Sequence, residues 1–458
     1  MSASRTQTRA DSVTFWLPVT AAAAVSAFLG TVAADARWLA ALGAYIVRRG
    51  SIPDFVPYAA APSGGWHNVP ALGELAFHFL EALGGDRALL IAQGLAVGFG
   101  FAILAVDARR AGASRSGALL VLFLAVPSAF TAIPLVRAQL FSLALFPLLV
   151  LLLRSESRAP SRRVWLLLPL IALWSNLHGA VLVGLAVAGT YLVFERARRE
   201  PWVAAGALAG SVVALFATPA LWNTGSYYAG VLGNEAARRG IGLWARPSLS
   251  SPVDVIFTVG AIVLVAAALR GRPRPWEVVV LVGLALLSLR AVRAGVWLVF
   301  FTATPAAFAF GSIRAPRARV AVPILAVLFI ATVFGLVRGP HDGGARGALL
   351  DDALRQAAGT PILATDLLAE QVALAGGRIW IGNPIDAFPK RDQRVYLDWL
   401  QGRSAGDIAL RHAPRVVLVK PGSQPERRLA QNPAFQELGH DSGAVLYIRR
   451  GIRTPPYW

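Results

Sequence analysis

The chain of 458 residues contains no cysteine, so no disulfide can stabilise it and its stability must come from packing. Charge is also scarce, because only 15% of the residues are charged while 56% are hydrophobic, and the mean hydropathy is +0.56. The first three quarters of the chain have too little polar material to form the surface of a soluble domain. The composition therefore indicates a polytopic membrane protein.

Long apolar runs follow one another through residues 1–337. A helix needs about 20 apolar residues to cross a bilayer, so we expect a mostly α-helical transmembrane bundle of about eleven crossings. The runs lie at 13–34, 87–106, 118–135, 139–153, 164–176, 178–194, 201–218, 253–270, 276–290, 295–311 and 319–337.

The net charge of +19 comes from arginines that sit in short clusters between these runs. If the N-terminus with Arg5 and Arg9 is cytoplasmic, alternating crossings place every cluster on the cytoplasmic side, as the positive-inside rule requires. This pattern favours a multi-pass protein of the cytoplasmic (inner) cell membrane over a nucleic-acid binder. The clusters lie at 109–115, 154–163, 196–199, 270–274 and 314–319, and the segments expected outside are 35–86, 219–252, 291–294 and 338–458.

The C-terminal quarter differs in composition, since twelve of the 25 acidic residues come after residue 338. We expect a small extracytoplasmic α/β domain over 338–458. It has no nucleophile, metal or phosphate-loop motif, which favours an accessory or docking role over a second active site. Short β-like runs lie at 361–365, 378–381, 415–419 and 444–448, and amphipathic helical stretches lie at 348–358, 366–375 and 425–431.

The first external segment, 35–86, is far longer than a turn requires. It opens with Asp35 at the end of the first run and later carries His67, Asn68 and Glu74 ahead of an amphipathic stretch. A carboxylate at a membrane interface can simply solvate a helix end, so Asp35 alone decides nothing.

Asn176 and His178 interrupt the apolar run between 164 and 194 in the stretch "WSNLHG". The two half-runs are shorter than a full span, which puts the turn below the membrane surface, where polar backbone must line a cavity or pack on protein. Either these side chains face a water-accessible pocket, or they cap two helices and satisfy each other.

Together these features resemble the GT-C superfamily of membrane glycosyltransferases, and more closely a bacterial multi-span group with a C-terminal extracytoplasmic domain. The resemblance covers nearly the whole chain, although each motif is short. It is carried by Asp35–Trp38, Gly43–Ile46, Gly50–Pro53, Arg137–Ser142, Asn176–Gly179, Trp244 with Pro247, Arg293, Thr365-Asp366, Gly376-Gly377 and Trp380.

The resemblance implies transfer of a sugar, with inversion, from a polyprenyl-phosphate donor in the bilayer to an extracytoplasmic glycan, lipid or protein. Asp35 would be the general base, and Arg290, Arg293 and Arg137 would hold the lipid phosphate. Four further residues would bind substrate in the same external cavity: His178, Asn176, His67 and Asn68. The alternative for each arginine is snorkelling to the headgroups.

Two positions depart from the family pattern. Relatives carry a His where this chain has Leu39, and a His-Glu-Trp-like triplet where it has Asn68-Val69-Pro70. No clear ligand set for a divalent metal is present, so the sequence assigns no metal ligand and leaves a requirement for a divalent metal open. The departures keep a non-catalytic scaffold open as an alternative. A lipid or glycan transporter is disfavoured, because its mid-membrane ionisable residues are missing from the apolar runs.

Overall fold

The computed structural model describes residues 16–310, 318–341, 344–412 and 415–451. Arg5, Arg9, Arg314 and Arg317 of the predicted cytoplasmic clusters lie outside these residues. The described residues group into two compact units. The helical unit comprises the described parts of 1–31, 84–218 and 240–340, and the mixed unit comprises those of 32–83, 219–239 and 341–458. The long first loop and the C-terminal segment therefore belong to the same unit.

Helices account for most of the described residues. In chain order they are α1 (Leu17–Leu29), α2 (Ala34–Arg49), α3 (Ala71–Arg110), α4 (Arg115–Ser128), α5 (Leu140–Arg158), α6 (Leu167–Ser175), α7 (Val181–Phe194), α8 (Pro201–Leu215), α9 (Thr224–Leu232), α10 (Glu235–Arg239), α11 (Pro252–Arg270), α12 (Pro275–Arg290), α13 (Gly295–Ala309), α14 (Ala318–Arg338), α15 (Gly347–Ala357), α16 (Asp366–Leu374), α17 (Lys390–Leu400), α18 (Ile408–His412) and α19 (Gln424–Ala430).

Each of the eleven apolar runs contains one of these helices. Among the described residues, five helices are long and apolar enough to cross a membrane by length and composition alone, so the count of about eleven crossings stays a prediction. They are Ala71–Arg110, Leu140–Arg158, Pro252–Arg270, Val292–Ala309 and Val320–Arg338.

Helix α3 is interrupted, and its two parts belong to different units. Gly84 and Gly85 have non-helical backbone angles, and Gly85 has a φ of 59°, a conformation that costs glycine little and other residues much. The break separates an amphipathic first part from an apolar second part. The first part belongs to the mixed unit and the second to the helical unit.

A buried ion-pair network joins four helices of the helical unit. Arg154 on α5 donates from Nη1 to Asp107 Oδ2 on α3 at 2.8 Å and from Nε to Glu277 Oε1 on α12 at 2.7 Å. Its Nη2 donates to the carbonyl oxygen of Phe301 on α13 at 2.8 Å. The Arg154 side chain is 4% exposed and that of Asp107 is 1% exposed. A charge buried this deeply is tolerated only when it is paired and hydrogen-bonded.

A second buried ion pair joins Arg196 to Glu156 at 3.1 Å. A third ion pair joins Arg274 to Glu195 at 2.8 Å. Arginines of three of the predicted cytoplasmic clusters are thus engaged with acids inside the protein. The cytoplasmic placement of the clusters stays a prediction, and part of their charge holds helices together.

The mixed unit contains a four-stranded sheet in the order β3-β4-β6-β5. Strands β3 and β4 are parallel, and β6 is antiparallel to both β4 and β5. Its strands are β3 (Leu363–Ala364), β4 (Val416–Val419), β5 (Phe435–His440) and β6 (Val445–Arg449), while the two-residue strands β1 (Thr31–Val32) and β2 (Leu135–Val136) lie earlier in the chain.

Most predicted elements of the C-terminal segment coincide with observed ones, with four differences, one of which is that the short helix α18 was not predicted. The run at 378–381 forms isolated bridges at Ile379 instead of a strand. Strand β5 was not predicted, because only Phe435 of its six residues is buried and the sequence shows no alternation. Helix α17 was not predicted, because charged residues alternate in the sequence with its buried residues Tyr396, Leu397 and Trp399.

We predict that Arg154→Leu destabilises the helical unit by about 3–5 kcal/mol, because Asp107 and Glu277 would stay buried without their cation. The measurement is the midpoint of thermal unfolding in detergent. Arg270→Leu, which removes an exposed arginine at the end of α11, is the matched control and should leave the midpoint close to wild type. Equal midpoints for the two variants would contradict the structural role of the network.

Candidate active site

Helix α2 carries Asp35 in its first turn, where the side chain is partly exposed. The same helix packs directly on the start of α3 at Gly43. A Cβ atom on Gly43 would lie 2.2 Å from the carbonyl oxygen of Glu74, so only glycine permits this approach. Leu39, at one of the positions that departs from the family pattern, is 1% exposed and serves packing. The close contact brings the first turn of α3, with Glu74, against α2.

Backbone hydrogen bonds hold the long first loop to the C-terminal segment. The amide of Ala60 donates to the carbonyl of Ile379 at 2.8 Å, and the amide of Ala61 donates to that of Trp380 at 2.9 Å. In return the amide of Ile379 donates to the carbonyl of Tyr58 at 2.9 Å. The loop therefore runs alongside the segment that was predicted to be a strand, and helix α16 packs against α2.

Four carboxyl groups of the mixed unit, here called the acid cluster (Asp35, Glu74, Glu370 and Asp386), act electrostatically on one another or on a shared neighbour: Asp35 acts on Glu370, and Asp35, Glu74 and Asp386 act on Tyr227. Glu74 and Glu370 are both 0% exposed. The side-chain amide of Asn68 donates to Glu74 Oε2 at 2.8 Å. The four acids come from α2, α3, α16 and the segment after it, so separate parts of the sequence build one polar centre.

Two neighbours, Asn383 and Trp66, bind the acids of the C-terminal segment, and Tyr58 binds Asn383. Asn383 donates to Glu370 Oε1 from its backbone nitrogen at 2.7 Å and from Nδ2 at 3.1 Å. The hydroxyl of Tyr58 donates to the carbonyl oxygen of Asn383 at 3.2 Å, and the indole of Trp66 donates to Asp386 Oδ2 at 3.2 Å. Both aromatic residues belong to the long first loop.

Burial dominates the electrostatics of the cluster. It raises the pKa of Glu370 from 4.5 to about 8; Asn383 opposes the rise, and the negative charges of Asp35 and Asp366 add to it. Burial likewise raises the pKa of Asp386 to about 6, against the hydrogen bond from Trp66 and the charge of Lys390. Asp35 thus lies within electrostatic range of Glu370.

Tyr227 of α9 extends the cluster. Burial is the main reason that its pKa is raised well above the ordinary value, and the charges of Asp386, Glu74 and Asp35 add to the effect. Its ring lies 6.4 Å from that of Trp66, centroid to centroid. Segment 219–239 is therefore part of the surroundings of the acids.

Glu74 was noted in the sequence as a polar residue of the first loop but was not assigned to the site. The residues near the acids that were not predicted are Glu370, Asp386, Asn383, Tyr58 and Tyr227. The one available signal was in "DLLAEQVAL", where a charged residue occupies an otherwise apolar helix. Glu370 and Gln371 are both buried there. A buried acid in such a helix is rarely without a role.

The other predicted site residues of the first loop lie beside these acids. Asn68 is buried and bound to Glu74, whereas His67 is partly exposed between buried neighbours. The triplet Asn68-Val69-Pro70 is buried throughout. The family glutamate missing from this triplet has no replacement within it, and the nearest acid along the chain is Glu74.

The helical unit holds a second group of predicted site residues, around His178. The indole nitrogen of Trp174 donates to Ser142 Oγ at 2.7 Å, and Ser142 Oγ lies 2.7 Å from His178 Nδ1. The backbone amide of Ala180 donates to His178 Nδ1 at 3.4 Å, so Nδ1 is an acceptor. The serine hydroxyl therefore donates to Nδ1 as well, and the imidazole carries its proton on Nε2.

Arg137 and Arg293 both lie near enough to His178 to act on it electrostatically. Arg137 is 1% exposed, between α4 and α5. The guanidinium of Arg293 sits 4.4 Å from the centroid of the Trp244 ring, a cation–π arrangement. Arg290 is exposed at the end of α12. Two of the three predicted phosphate-binding arginines thus share the surroundings of the predicted histidine.

Asn176 has a structural use. Its Nδ2 donates to the carbonyl oxygens of Ala172 at 2.8 Å and Ala217 at 2.6 Å, which occupies both amide hydrogens and caps the end of α6. His178 bonds to Ser142 and not to Asn176, so the two do not satisfy each other. A ligand contact from Asn176 stays a prediction.

Metal binding was tested against the same residues. In the part of the chain that the structure describes, no group of three or more His, Asp and Glu side chains could hold a metal ion. Glu74, Glu370 and Asp386 bond to amide and indole donors.

Comparison with solved structures finds the same fold in ArnT and in the arabinofuranosyltransferase AftD. ArnT from Cupriavidus metallidurans matches with a TM-score of 0.53 and 14% identity in its apo state, over 93% of this chain and 95% of that one. In its complex with undecaprenyl phosphate, ArnT matches with a TM-score of 0.52 and 13% identity, over 98% of both chains.

The arabinofuranosyltransferase AftD from Mycobacteria matches with a TM-score of 0.51 and 16% identity, over 94% of this chain and 41% of its own. No protein-family model and no curated protein matches the chain. The resemblance noted in the sequence is therefore confirmed at the level of the fold.

We predict that wild-type protein loses thermal stability as the pH rises from about 4.5 to about 8. The folded state holds the Glu370 proton up to about pH 8, whereas the unfolded chain releases it near pH 4.5. The stabilisation present below the lower value is therefore lost across this window. Glu370→Gln should flatten the dependence, as measured by the unfolding midpoint against pH. Glu437→Gln, at an exposed position, should keep the wild-type slope; an unchanged slope in Glu370→Gln would contradict the assignment.

Proposed function

We propose that this protein is an integral membrane glycosyltransferase that transfers a sugar from a polyprenyl-phosphate donor to an extracytoplasmic glycan, lipid or protein. The observation that carries the proposal is an acid-bearing first loop, with Asp35 at its start, on a fold shared with ArnT and AftD. One of the ArnT structures contains undecaprenyl phosphate, which supports the same class of lipid carrier here.

In the proposed reaction Asp35 acts as the general base. The acceptor hydroxyl gives its proton to the carboxylate as its oxygen attacks the anomeric carbon, the bond to the lipid phosphate breaks, and the configuration inverts. Asp35 suits this role because it is partly exposed in the first turn of α2, where an acceptor can reach it. The buried acids around it have no such access.

The lipid phosphate needs cations, and Arg137, Arg290 and Arg293 supply them in the proposal. A guanidinium binds phosphate through two parallel hydrogen bonds. The grouping of Arg137 and Arg293 around His178 supports a shared anion site in the helical unit. The imidazole Nε2–H, set by the bond to Ser142, is a further donor for a phosphate oxygen.

The departures from the family pattern bear on the acids of the first loop. The triplet at 68–70 lacks the family glutamate, but Asn68 orients the buried Glu74 one turn into α3. We propose that Glu74, which is buried, takes the place of the missing family glutamate as a supporting residue of the site. This keeps the enzyme hypothesis ahead of the scaffold hypothesis, which gives the buried acids no use.

We predict that Asp35→Asn lowers sugar transfer by at least about a hundredfold, the usual contribution of a general base. Membranes containing the protein would be followed by mass spectrometry for loss of endogenous polyprenyl-phosphate sugars. Glu437→Gln is the control and should turn over at the wild-type rate. Transfer by Asp35→Asn at that rate would rule out the assigned base.

We predict that detergent-purified wild-type protein retains polyprenyl phosphate or its sugar conjugate in native mass spectrometry. Arg290→Ala with Arg293→Ala should lower the bound fraction about tenfold or more, since each charged hydrogen bond contributes about 1.5–3 kcal/mol. The matched control is Arg270→Ala with Arg272→Ala, two exposed arginines of a predicted cytoplasmic cluster. Ordinary phospholipid alone, equal in all variants, would favour the scaffold.

A further inference from the structure

An open groove of about 500 Å³ lies in the C-terminal segment. Helices α18 and α19 and strands β5 and β6 contribute to its lining, and the lining residues all fall between positions 407 and 449. The groove therefore belongs to the mixed unit and shares no residue with the acid cluster. Its volume lies within the usual range of small-molecule sites, about 300–1,000 Å³.

The lining of this groove, here called the arginine groove, carries a net positive charge. Arg411, Arg428 and Arg449 line it together with a single acid, Asp407. Arg428 Nη2 donates to Asp407 Oδ2 at 2.5 Å, so these two charges balance each other. Arg411 is exposed, and its side chain makes no hydrogen bond or ion pair with the other described residues. The charges of Arg411 and Arg449 are therefore available to a ligand.

Arg449 is held in place without an acidic partner among the described residues. Its Cζ lies 5.3 Å from the centroid of the Phe435 ring, a cation–π contact, and its Nη2 donates to the carbonyl oxygen of Leu410. Its Nε is buried and has no hydrogen-bond partner in the described part of the chain, so Nη1 is the nitrogen left for a ligand. A guanidinium fixed in this way is preorganised to bind an oxyanion, which would balance its charge.

Two amide side chains, Gln431 and Asn432, line the same groove. Asn432 Oδ1 accepts a hydrogen bond from the backbone amide of Ala434 at 3.0 Å, which fixes the side chain and leaves its Nδ2 hydrogens for another acceptor. Gln431 is exposed. Because an amide group both donates and accepts, it can bind a hydroxyl group in either sense. The lining thus combines cations for an acid group with amides for hydroxyl groups.

The groove offers no free aromatic face. Phe435 is the one aromatic side chain among its described lining residues; it is 4% exposed, and its ring is in contact with the guanidinium of Arg449. Proteins that bind single-stranded nucleic acid combine positive charge with aromatic rings on which the bases stack. The lack of such a ring favours a ligand rich in hydroxyl groups over one with flat bases.

We propose that the arginine groove binds an anionic sugar. Arg411 and Arg449 hold its acid group, and Gln431 and Asn432 bind its hydroxyl groups. A carboxylate and a phosphate share this chemistry, because a guanidinium pairs with either. The proposal goes beyond the transferase function and does not depend on it, since a scaffold could use the same site. It gives a ligand to the docking role that the sequence favours for this segment.

The test measures binding to the full-length protein by calorimetry, at low ionic strength and in a detergent without sugar headgroups. Two pairs of probes are compared, tetragalacturonate with its methyl ester and glucose 6-phosphate with glucose. The acidic member of at least one pair should bind about tenfold or more tightly than the neutral member, and its affinity should fall as salt is added. The pair with the larger ratio identifies the oxyanion.

Arg411→Gln with Arg449→Gln should lower the affinity for the acidic probe about tenfold or more, because a hydrogen bond to a charged group contributes at least that factor. The matched control is Arg391→Gln with Arg427→Gln, two exposed arginines of the same unit that do not line the groove. It makes the same change of net charge and should keep the wild-type affinity. If the double variant at the groove does not fold, Arg411→Gln alone should lower the affinity about threefold or more, since the side chain is exposed and its loss leaves the fold intact.

Asp407→Asn tests the sign of the effect. It removes the one negative charge among the described lining residues and releases Arg428, so the acidic probe should bind a few times more tightly. Weaker binding in this variant would contradict the proposal.

Ratios near one for both pairs of wild-type probes would overturn the inference, as would an equal loss of affinity in the control variant. Asp35→Asn should bind the acidic probe like wild type, because Asp35 does not line the groove. Loss of binding in Asp35→Asn would show that the sugar binds at the proposed active site instead. Failure of Asp35→Asn to affect sugar transfer would refute the proposed base and leave this inference intact.

Discussion

A guanidinium buried among apolar helices must have its charge balanced and its hydrogen bonds made, and Arg154 meets both conditions only where several helices converge. Its three nitrogens reach Asp107, Glu277 and the carbonyl of Phe301. Each partner lies on a different helix, so α3, α5, α12 and α13 must keep one arrangement for the network to exist. Weakly directional apolar packing alone would tolerate many arrangements. The ion pairs therefore specify the helical unit that holds Arg137, His178 and Arg293.

In the mixed unit, a long polar loop must be held in one conformation without disulfides. Backbone bonds from residues 58–61 to 379–380 extend the sheet by a short segment, and the tight approach at Gly43 locks α2 against α3. Both devices gather the acid cluster around Asp35. The contacts that fix the conformation of the first loop therefore also position the residues of the candidate site.

Much of this organisation could be predicted from the sequence, and the limits follow from the range over which each signal acts. Apolar runs predicted a helix at every expected position, because burial in lipid or protein imposes hydrophobicity on every turn. Asp35 was found by its place after the first run. Glu370 was not, because Tyr58 and Asp35, which link it to the first loop, lie more than 300 residues away along the chain. Strand β5 was missed because one of its faces is solvated and the other contributes a single buried residue.

The sequence by itself determined the membrane character and the helical ranges, since these depend on local composition and spacing, whereas the candidate base came from the family resemblance. Only the tertiary structure decided that Glu74, Glu370 and Asp386 join Asp35, that Asn176 caps a helix, and that Arg154 is buried as an ion-pair centre. The physical reason is that burial, pairing and hydrogen bonding of polar groups depend on which distant segments are in contact. A local sequence pattern carries no information about those contacts.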